Sequence, residues 1–449
     1  MKSLFYGRAV LYVLISLLTV LCVIIGALAP TTHLDTDTAD TSSNHSVAGG
    51  SNVSGTGLNS NVSNVISNGG DVNNSDITSS DDVSLDENGE YDEITAEELA
   101  RLLAAGMSLE NKIYMMMMVT PETLTDQSVV TSAGYDMLKA LEKYPVGGVI
   151  CFEKNLIDPE STRSMITVMQ SFADQTQGFP LLVGVDEEGG SVVRIADNPS
   201  FGVNKTPSAG YLKSGAEAYN AGNTIGKYLS QLGFNVNFGP VADVLTDPLN
   251  TAIGKRAFSS DPDIVKLLAE QFAKGLHNNG IMATYKHFPG HGGTLGDSHD
   301  GFVSVDVPLD VLRDRELVPF ASAKESGIEF VMVGHISNAT AFQDDLPASL
   351  SKNAIDFLKK DLGYKGIIIT DALNMGAISK YYEPEEAALM AIKAGNDMLL
   401  YPADDSKGLE NIVKTVVKAC YDGEVEEEQI NRSVEKIIVA KLKVQQGRG

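Results

Sequence analysis

The chain has 449 residues, a formal net charge of −25 and three cysteines. This acidic excess argues against nucleic acid and anionic membrane surfaces as partners, because both repel a negatively charged protein. So few cysteines also exclude a disulfide framework as the main source of stability. Shifts in composition divide the chain into three parts, residues 1–30, 31–95 and 96–449.

The first part, residues 1–30, contains an apolar segment at residues 9–29 that carries no charged side chain. Its length fits a membrane-spanning helix and also a signal peptide. Lys2 and Arg8 precede the segment and favour an N-terminus that stays inside the cell. Because Pro30 disfavours cleavage just before it, we expect a retained membrane anchor in preference to a cleaved signal. The rest of the chain would then lie on the extracellular face of the cell membrane, or be secreted if cleavage occurs.

The second part is dominated by serine, asparagine, aspartate, glycine and threonine and contains no lysine or arginine. Such a segment cannot bury enough apolar surface to offset the entropy that is lost on ordering. We therefore predict that residues 31–95 form a disordered stalk, which would hold the following domain away from a membrane.

Short apolar runs alternate with amphipathic segments of helical length in the third part. The runs predict strands at Ile113–Thr120, Gly147–Phe152, Pro180–Asp186, Asn235–Gly239, Met282–His287, Glu329–Gly334, Gly366–Thr370 and Met398–Tyr401. The segments between them predict helices that include Pro159–Thr176, Ala216–Leu232, Pro262–Asn278, Leu309–Ser326, Lys352–Leu362 and Pro384–Ala394. Nearly continuous apolar strands that alternate with helices are typical of a parallel sheet covered by helices. Eight such strands favour a single α/β catalytic domain, a TIM-like (β/α)8 barrel, over an open doubly wound sheet, which would need a phosphate-binding glycine loop.

Polar side chains follow five of the predicted strands at the point where each strand ends. They are Asp186 after the third, Asp243 after the fourth, Lys286 and His287 at the end of the fifth, His335 after the sixth and Asp371 after the seventh. The carboxyl-terminal strand ends of a barrel form its active-site face. The sequence therefore predicts a polar pocket at this face.

Asp371 directly follows the apolar run of the seventh predicted strand. A carboxylate at the mouth of a barrel strand can act as a nucleophile, a base or a ligand. The alternative is a structural N-cap for a helix that begins at Leu373. The residue and its neighbours do not decide between these interpretations.

The stretch from Lys286 to Gly292, followed by Asp297-Ser298-His299, concentrates histidine, lysine and aspartate on a glycine-rich loop. Asp297 could hold one imidazole nitrogen of His299 while the other faces a substrate, and His299 would then transfer protons near neutral pH. The alternative is an exposed loop histidine with an incidental neighbour. A metal site on these histidines is disfavoured because the ammonium group of Lys286 would lie beside the cation, and we expect no metal.

Asp186 and Arg194 flank the turn Gly189-Gly190 after the third predicted strand, and Arg256 lies on the loop after the fourth. The double glycine permits the backbone to approach a ligand closely. Carboxylate, guanidinium, ammonium and imidazole groups around one rim supply the donors and acceptors that vicinal sugar hydroxyls require. For Arg194 a structural ion pair is the alternative.

Four motifs, in order along the chain, resemble those of the family 3 glycoside hydrolases and, more narrowly, of their β-N-acetylhexosaminidase branch. They are Asp186-Glu187-Glu188-Gly189-Gly190-Ser191-Val192-Val193-Arg194, the stretch Lys286 to Gly292, Asp297-Ser298-His299 and Thr370-Asp371. The resemblance covers roughly residues 100 to 445 and implies a (β/α)8 barrel that removes terminal β-linked sugars with retention of configuration. It implies that Asp371 is the nucleophile and that His299, paired with Asp297, is the acid/base, in place of the second carboxylate of most glycosidases.

By the same resemblance, Asp186, Arg256, Lys286 and His287 would bind the hydroxyls of the terminal sugar, and Arg194 would support Asp186. Two positions depart from the family's pattern. Glu187 stands where glutamine is frequent, and Ala372 stands where a second aspartate is common. Neither departure removes a catalytic group, but both could alter substrate preference.

These observations predict an exported β-N-acetylglucosaminidase that acts on β-linked N-acetylglucosamine in peptidoglycan fragments or chitin-like oligosaccharides, as a monomer and without a cofactor. A β-glucosidase or β-xylosidase of the same family is one alternative. A glycoside phosphorylase is another, because a histidine acid/base does not repel an anionic acceptor. A non-catalytic, surface-tethered glycan-binding protein is a third, and the presence of Asp371, His299 and Asp297 argues against it.

Overall fold

A computed structural model describes residues 94–447, apart from residues 295, 299, 300, 302, 403 and 404. The predicted anchor, residues 1–30, and nearly all of the predicted stalk lie outside the described residues, so both stay predictions. Within the described part of the chain, no helix is both long enough and apolar enough to cross a membrane.

Eight parallel strands form the central sheet of the described residues. In chain order they are Met117–Val119, Gly148–Ile150, Leu182–Val185, Val236–Asn237, Met282–Phe288, Phe330–Val333, Ile367–Thr370 and Leu399–Leu400. The strands pair in chain order from the first to the seventh, and the eighth pairs with the first. Between the seventh and eighth, Met398 donates a backbone hydrogen bond to Ile368 (3.0 Å) and accepts one from Thr370 (3.1 Å), which closes the ring. The predicted (β/α)8 barrel is confirmed.

Every residue of the eight strands is buried. Each strand lies between the side chains that fill the barrel and the helices that cover it, so both of its faces are enclosed. This double burial explains why the strands are nearly continuous apolar runs in the sequence, without the alternation of a half-exposed strand.

Helices surround the barrel. The α-helices of the described residues are Ala96–Ala105, Leu109–Met115, Pro121–Thr125, Tyr135–Lys143, Pro159–Gln177, Gly215–Leu232, Pro262–His277, Leu309–Asp314, Val318–Ala321, Ala339–Phe342, Lys352–Asp356, Gly376–Ser379, Pro384–Ala394, Ser406–Tyr421 and Glu427–Gly447. A π-helical turn, Phe357–Asp361, continues the helix that begins at Lys352. Two long helices begin with an aspartate cap and a proline: Asp158 accepts the N–H of Ser161 (2.8 Å) and Asp261 accepts that of Asp263 (3.0 Å).

Two predicted elements are partly wrong. The predicted strand Ile113–Thr120 begins as helix, because the Ser108 hydroxyl caps Leu109–Met115 by accepting the N–H of Asn111 (3.2 Å). The predicted helix Leu309–Ser326 is split into two short helices. Its break lies at Arg315, whose φ of −136° is not helical, and Pro319 lacks the N–H that a continuous helix would need.

A small second sheet pairs Val303–Ser304 with Ile336–Ser337 in parallel. These strands belong to the loops that follow the fifth and sixth barrel strands. The pairing therefore attaches the loop after the fifth strand to its neighbour at the carboxyl-terminal face.

Candidate active site

A cavity of about 420 Å³ opens at the carboxyl ends of the barrel strands. Its charged and imidazole side chains are Lys154, Asp186, Glu188, Arg194, Arg256, Lys286, His287 and Asp371. Its apolar side chains include Ile150, Phe152, Val192, Met332, Met375 and Leu400. The structure thus brings together six residues that were proposed from separate motifs: Asp186, Arg194, Arg256, Lys286, His287 and Asp371.

Lys286 lies at the centre of a buried ion cluster in this cavity. Its side chain is 3% exposed, and its Nζ lies 2.8 Å from Asp186 Oδ1 and 2.7 Å from Glu188 Oε1. Arg256 binds Glu188 in a bidentate manner, with Nε 2.9 Å from Oε2 and Nη2 2.9 Å from Oε1. Two carboxylates and two cations therefore form one connected group.

The cluster keeps Glu188 and Lys286 charged. Burial by itself would raise the pKa of the Glu188 carboxyl, but the charges of Arg256 and Lys286 hold this pKa well below its ordinary value. Burial would likewise lower the pKa of the Lys286 ammonium, yet Asp186 and Glu188 raise it. Glu188 and Lys286 are thus ionised across the physiological pH range.

Glu187 and Gly190 determine the conformation of the turn after the third strand. The carboxylate of Glu187 is fully buried and accepts the backbone N–H groups of Arg194 (2.6 Å), Ile195 (3.0 Å) and Ala196 (3.0 Å) and the hydroxyl of Tyr228 (2.8 Å). Gly190 has a φ of 62°, and a Cβ there would lie 1.8 Å from Ser208 Oγ, so only glycine fits. Glu187 therefore holds the loop, and Gly190 lets it pack.

Arg194 has a nearer partner than the one expected. Its Nη1 lies 2.7 Å from Glu153 Oε1, whereas its Nη2 lies 3.8 Å from Asp186 Oδ2. The guanidinium also lies over the ring of Phe152 at 5.9 Å. Arg194 contacts Asp186 as an ion pair, but Glu153 provides its hydrogen bond.

His287 is held by the buried carboxylate of Asp243. His287 Nδ1 lies 2.8 Å from Asp243 Oδ2, and Asp243 Oδ1 accepts the backbone N–H groups of His287 (3.1 Å) and His291 (2.7 Å). Burial would raise the pKa of Asp243, but the two histidines hold it below its ordinary value. An ionised Asp243 accepts the Nδ1–H of His287 and leaves Nε2 for the cavity.

Asp371 lies directly after the seventh strand and lines the cavity. Its backbone N–H bonds to Val333 (2.9 Å), and its Oδ1 accepts the N–H of Ala372 (2.8 Å). Burial would raise the pKa of Asp371, but the charges of His287 and His335 hold it below its ordinary value. The next helix begins only at Gly376, so the interpretation of Asp371 as an N-cap of a helix from Leu373 is wrong.

The segment that carries the proposed acid/base is described in part. His299 lies outside the described residues, and its pairing with Asp297 stays a prediction. Asp297 is half-buried, and the next residue, Ser298, is buried with its Oγ 3.2 Å from His291 Nε2. The carbonyl of Ser298 accepts the N–H of Ala377 at 3.0 Å. This segment therefore packs against the chain that follows Asp371.

Sequence reasoning missed three residues of this site or gave them no role: Glu188, Asp243 and His335. Glu188 lies two positions after Asp186, and this spacing places two side chains of an extended segment on one side. That signal could have identified Glu188, but the partners of Asp243 and His335 could not be read from the sequence. No group of three or more His, Cys, Asp or Glu side chains among the described residues could hold a metal ion.

A closed parallel barrel with a charged cavity at its carboxyl-terminal face defines the class of (β/α)8 proteins whose active sites lie at that face. Residues 108–440 match the family described as the glycosyl hydrolase family 3 N terminal domain. The chain therefore belongs to glycoside hydrolase family 3, and the resemblance predicted from its motifs is confirmed.

Relatives with named activities support this assignment. Beta-hexosaminidase A of Pseudoalteromonas piscicida is 33% identical over 341 residues, which cover 71% of this chain and 57% of that protein. Beta-hexosaminidase LpqI of Mycobacterium tuberculosis is 35% identical over 272 residues, which cover 59% of this chain and 68% of that protein. A family 3 beta-N-acetylglucosaminidase structure from Paenibacillus is 32% identical with a TM-score of 0.71, covering 76% of this chain and 64% of that one. The chain thus spans less than two thirds of the P. piscicida and Paenibacillus proteins.

Proposed function

We propose that this protein is an exported β-N-acetylhexosaminidase that hydrolyses terminal β-linked N-acetylglucosamine with retention of configuration. The observation that carries the proposal is that Asp371 and the ion cluster around Lys286 line one cavity. Charged donors and acceptors fit the hydroxyls of a sugar, and a carboxylate beside them fits an anomeric carbon. The 33% and 35% identity to beta-hexosaminidases supports the substrate class.

The first step forms a covalent glycosyl-enzyme. A carboxylate oxygen of Asp371 attacks the anomeric carbon, the bond to the leaving oxygen breaks, and His299 gives its proton to that oxygen. Asp297 orients the imidazolium of His299. The contact between Ser298 and Ala377 supports a position of this segment near Asp371.

The second step releases the sugar. Neutral His299 takes a proton from a water molecule, whose oxygen attacks the anomeric carbon while the bond to Asp371 breaks. Each step inverts the anomeric carbon, so the product keeps the configuration of the substrate.

The activity can be tested with p-nitrophenyl glycosides of N-acetylglucosamine and glucose, with and without phosphate. Preference for the N-acetylglucosaminide without need of phosphate is the expected result. Preference for the glucoside would favour the β-glucosidase alternative, and strong stimulation by phosphate would favour a phosphorylase. Binding of the sugar without turnover would favour the glycan-binding alternative.

Replacement of His299 by alanine should lower the glycosylation rate by an amount that depends on the leaving group of the substrate. A disaccharide needs protonation of the leaving oxygen and should lose about 10² to 10⁴ in glycosylation rate. From a p-nitrophenyl glycoside the p-nitrophenolate leaves without a proton, so the glycosylation rate of this substrate should change little. The measurement is pre-steady-state release of each leaving group, with His277→Ala as the control, because His277 pairs with Glu329 away from the described cavity. An equal loss on both substrates would contradict the assignment of His299 as the acid.

The pH dependence of kcat/KM should reflect how neighbouring charges lower the pKa of Asp371. Because the pKa of Asp371 is lowered, the nucleophile should stay ionised through the pH range in which an ordinary aspartate is protonated, and kcat/KM should decline through its protonation only below that range. His287→Gln removes a charge that lowers this pKa, so the acidic limb of kcat/KM should move to higher pH. His277→Gln should leave the limb in place. A limb that stays unmoved in His287→Gln would show that His287 does not set the ionisation of Asp371.

We further propose peptidoglycan fragments or chitin-like oligosaccharides as the natural substrates, acted on outside the cell. The uncharged segment at residues 9–29 supports export. Analysis of the sugars released from each polymer would distinguish the two substrates. Recovery of the full-length chain in membranes, or in the medium as a shortened chain, would distinguish an anchor from a cleaved signal.

A further inference from the structure

We propose that Glu188 is a positioning residue that holds Arg256 and Lys286 side by side as a preorganised pair of donors for the hydroxyls of the terminal sugar. The inference rests on the proposed function of the cavity. It concerns a carboxylate for which neither the motifs nor their resemblance to the family provides a role.

The contacts of Glu188 are suited to this task. Its side chain is 5% exposed, and Oε1 lies between Arg256 Nη2 (2.9 Å) and Lys286 Nζ (2.7 Å). Oε2 accepts the Nε–H of Arg256 at 2.9 Å. A bidentate guanidinium–carboxylate pair sets both the distance and the plane of the guanidinium. The ammonium of Lys286 shares one of the same oxygens, so a single side chain sets the spacing of both cations.

The charge balance requires such a residue. Two cations that share a buried wall repel each other, and the low local dielectric strengthens that repulsion. Asp186 binds Lys286 at 2.8 Å, while Glu188 contacts both Lys286 and Arg256. Glu188 therefore lets the two cations lie close together without a large electrostatic cost.

Both cations keep donors for a ligand. A guanidinium has five N–H donors, and the bonds to Glu188 and to the carbonyl of Ala252 (2.9 Å) use three of them. An ammonium has three donors, and the contacts with Asp186 and Glu188 use two. Since Arg256 and Lys286 line the cavity, their remaining donors fit the hydroxyl oxygens of a sugar.

Folding of the loop does not explain Glu188. The adjacent Glu187 already binds three backbone N–H groups of the loop and the hydroxyl of Tyr228. Glu188 makes its side-chain contacts with Arg256 and Lys286. The two adjacent glutamates thus have different roles: Glu187 stabilises the loop, and Glu188 binds Arg256 and Lys286.

The test is Glu188→Gln in the full-length protein, because glutamine keeps the shape of the side chain and removes its charge. We expect kcat/KM for p-nitrophenyl N-acetylglucosaminide to fall roughly 10- to 100-fold, since misplaced binding groups cost up to about 10² in rate. The Kd of N-acetylglucosamine should rise, and the loss should be the same for good and poor leaving groups. Glu270→Gln, a surface glutamate paired with Lys274, should leave all of these unchanged.

A double variant separates positioning from direct contact with the sugar. If Glu188 acts through the cations, Glu188→Gln combined with Arg256→Gln should lose less than the sum of the two single losses, because only the contact of Glu188 with Lys286 is left to remove. Additive losses would overturn the proposal and make Glu188 a direct ligand of the sugar. If Glu188→Gln does not fold, Glu188→Asp keeps the charge on a shorter side chain and should still raise the Kd of N-acetylglucosamine.

The two proposals fail differently. Unchanged KM and Kd in Glu188→Gln, in a protein that hydrolyses N-acetylglucosaminides, would overturn the role of Glu188 alone. Absence of hydrolysis by the unaltered protein would overturn the proposed function.

Discussion

Replacing Asp371 by asparagine should lower kcat on the order of 10⁴-fold or more, because a neutral amide cannot form the glycosyl-enzyme. Asparagine keeps the oxygen that accepts the N–H of Ala372, so the fold of the strand end should be preserved. The measurement is single-turnover hydrolysis of p-nitrophenyl N-acetylglucosaminide. Asp422→Asn, which removes a surface carboxylate paired with Lys418, should leave kcat unchanged.

Rescue by azide would identify the missing group. In Asp371→Ala the anion can attack the anomeric carbon from the side of the lost carboxylate, and the leaving group departs after a single inversion. The product should be the α-glycosyl azide, formed in proportion to the azide concentration. Full activity of Asp371→Asn, or an inverted product from the unaltered protein, would contradict the role of Asp371 as nucleophile.

The largest expected effect on stability comes from the replacement of Asp397, which does not line the cavity. Its carboxylate is almost fully buried and lies 2.9 Å from Lys436 Nζ, while it also accepts the N–H of Ile368 (2.9 Å) and the hydroxyl of Ser433 (3.0 Å). These bonds join the C-terminal helix Glu427–Gly447 to the seventh barrel strand. Asp397→Ala removes the acceptor of the Ile368 N–H and of the Ser433 hydroxyl and the buried charge that pairs with Lys436.

We expect Asp397→Ala to lower the free energy of unfolding by about 3 kcal/mol. Urea denaturation measures this change, and Asp422→Ala on the surface is the matched control. At a temperature where Asp397→Ala is folded, its kcat/KM should equal that of the unaltered protein, because Asp397 is not among the residues that line the cavity. A loss below about 1 kcal/mol would show that the connection carries little of the stability.

Local sequence patterns were sufficient to locate the eight strands but insufficient to set every boundary between helix and strand. The strands could be predicted because burial on both faces leaves a continuous apolar run, as in Ile367–Thr370. The last three residues of the helix Leu109–Met115 were mistaken for part of a strand, because Ile113, Tyr114 and Met115 are as apolar as the strand that follows. For a short apolar run, the pattern alone does not distinguish a buried helix from a buried strand.

Local patterns also misrepresent the end of the fifth strand. In a regular strand, Lys286 and His287 would point to opposite faces, yet both line the cavity. The register of the fifth strand against the sixth shifts between Tyr285 and Phe288, which breaks the alternation there. Motif recognition, rather than strand periodicity, was what selected both residues.

The sequence by itself determined the class of fold and the residue types of the site, because apolar periodicity and motif spacing are local properties of the chain. Only the tertiary structure decided which of these residues meet. Lys286 reaches Asp186 across 100 positions and Arg256 reaches Glu188 across 68, and Asp243 holds His287 from another strand end. Closure of the barrel brings these strand ends to one face. Because the charged groups are buried there, each one needs a partner of opposite charge close by. Such partnerships depend on distances in space, which no local pattern of residues encodes.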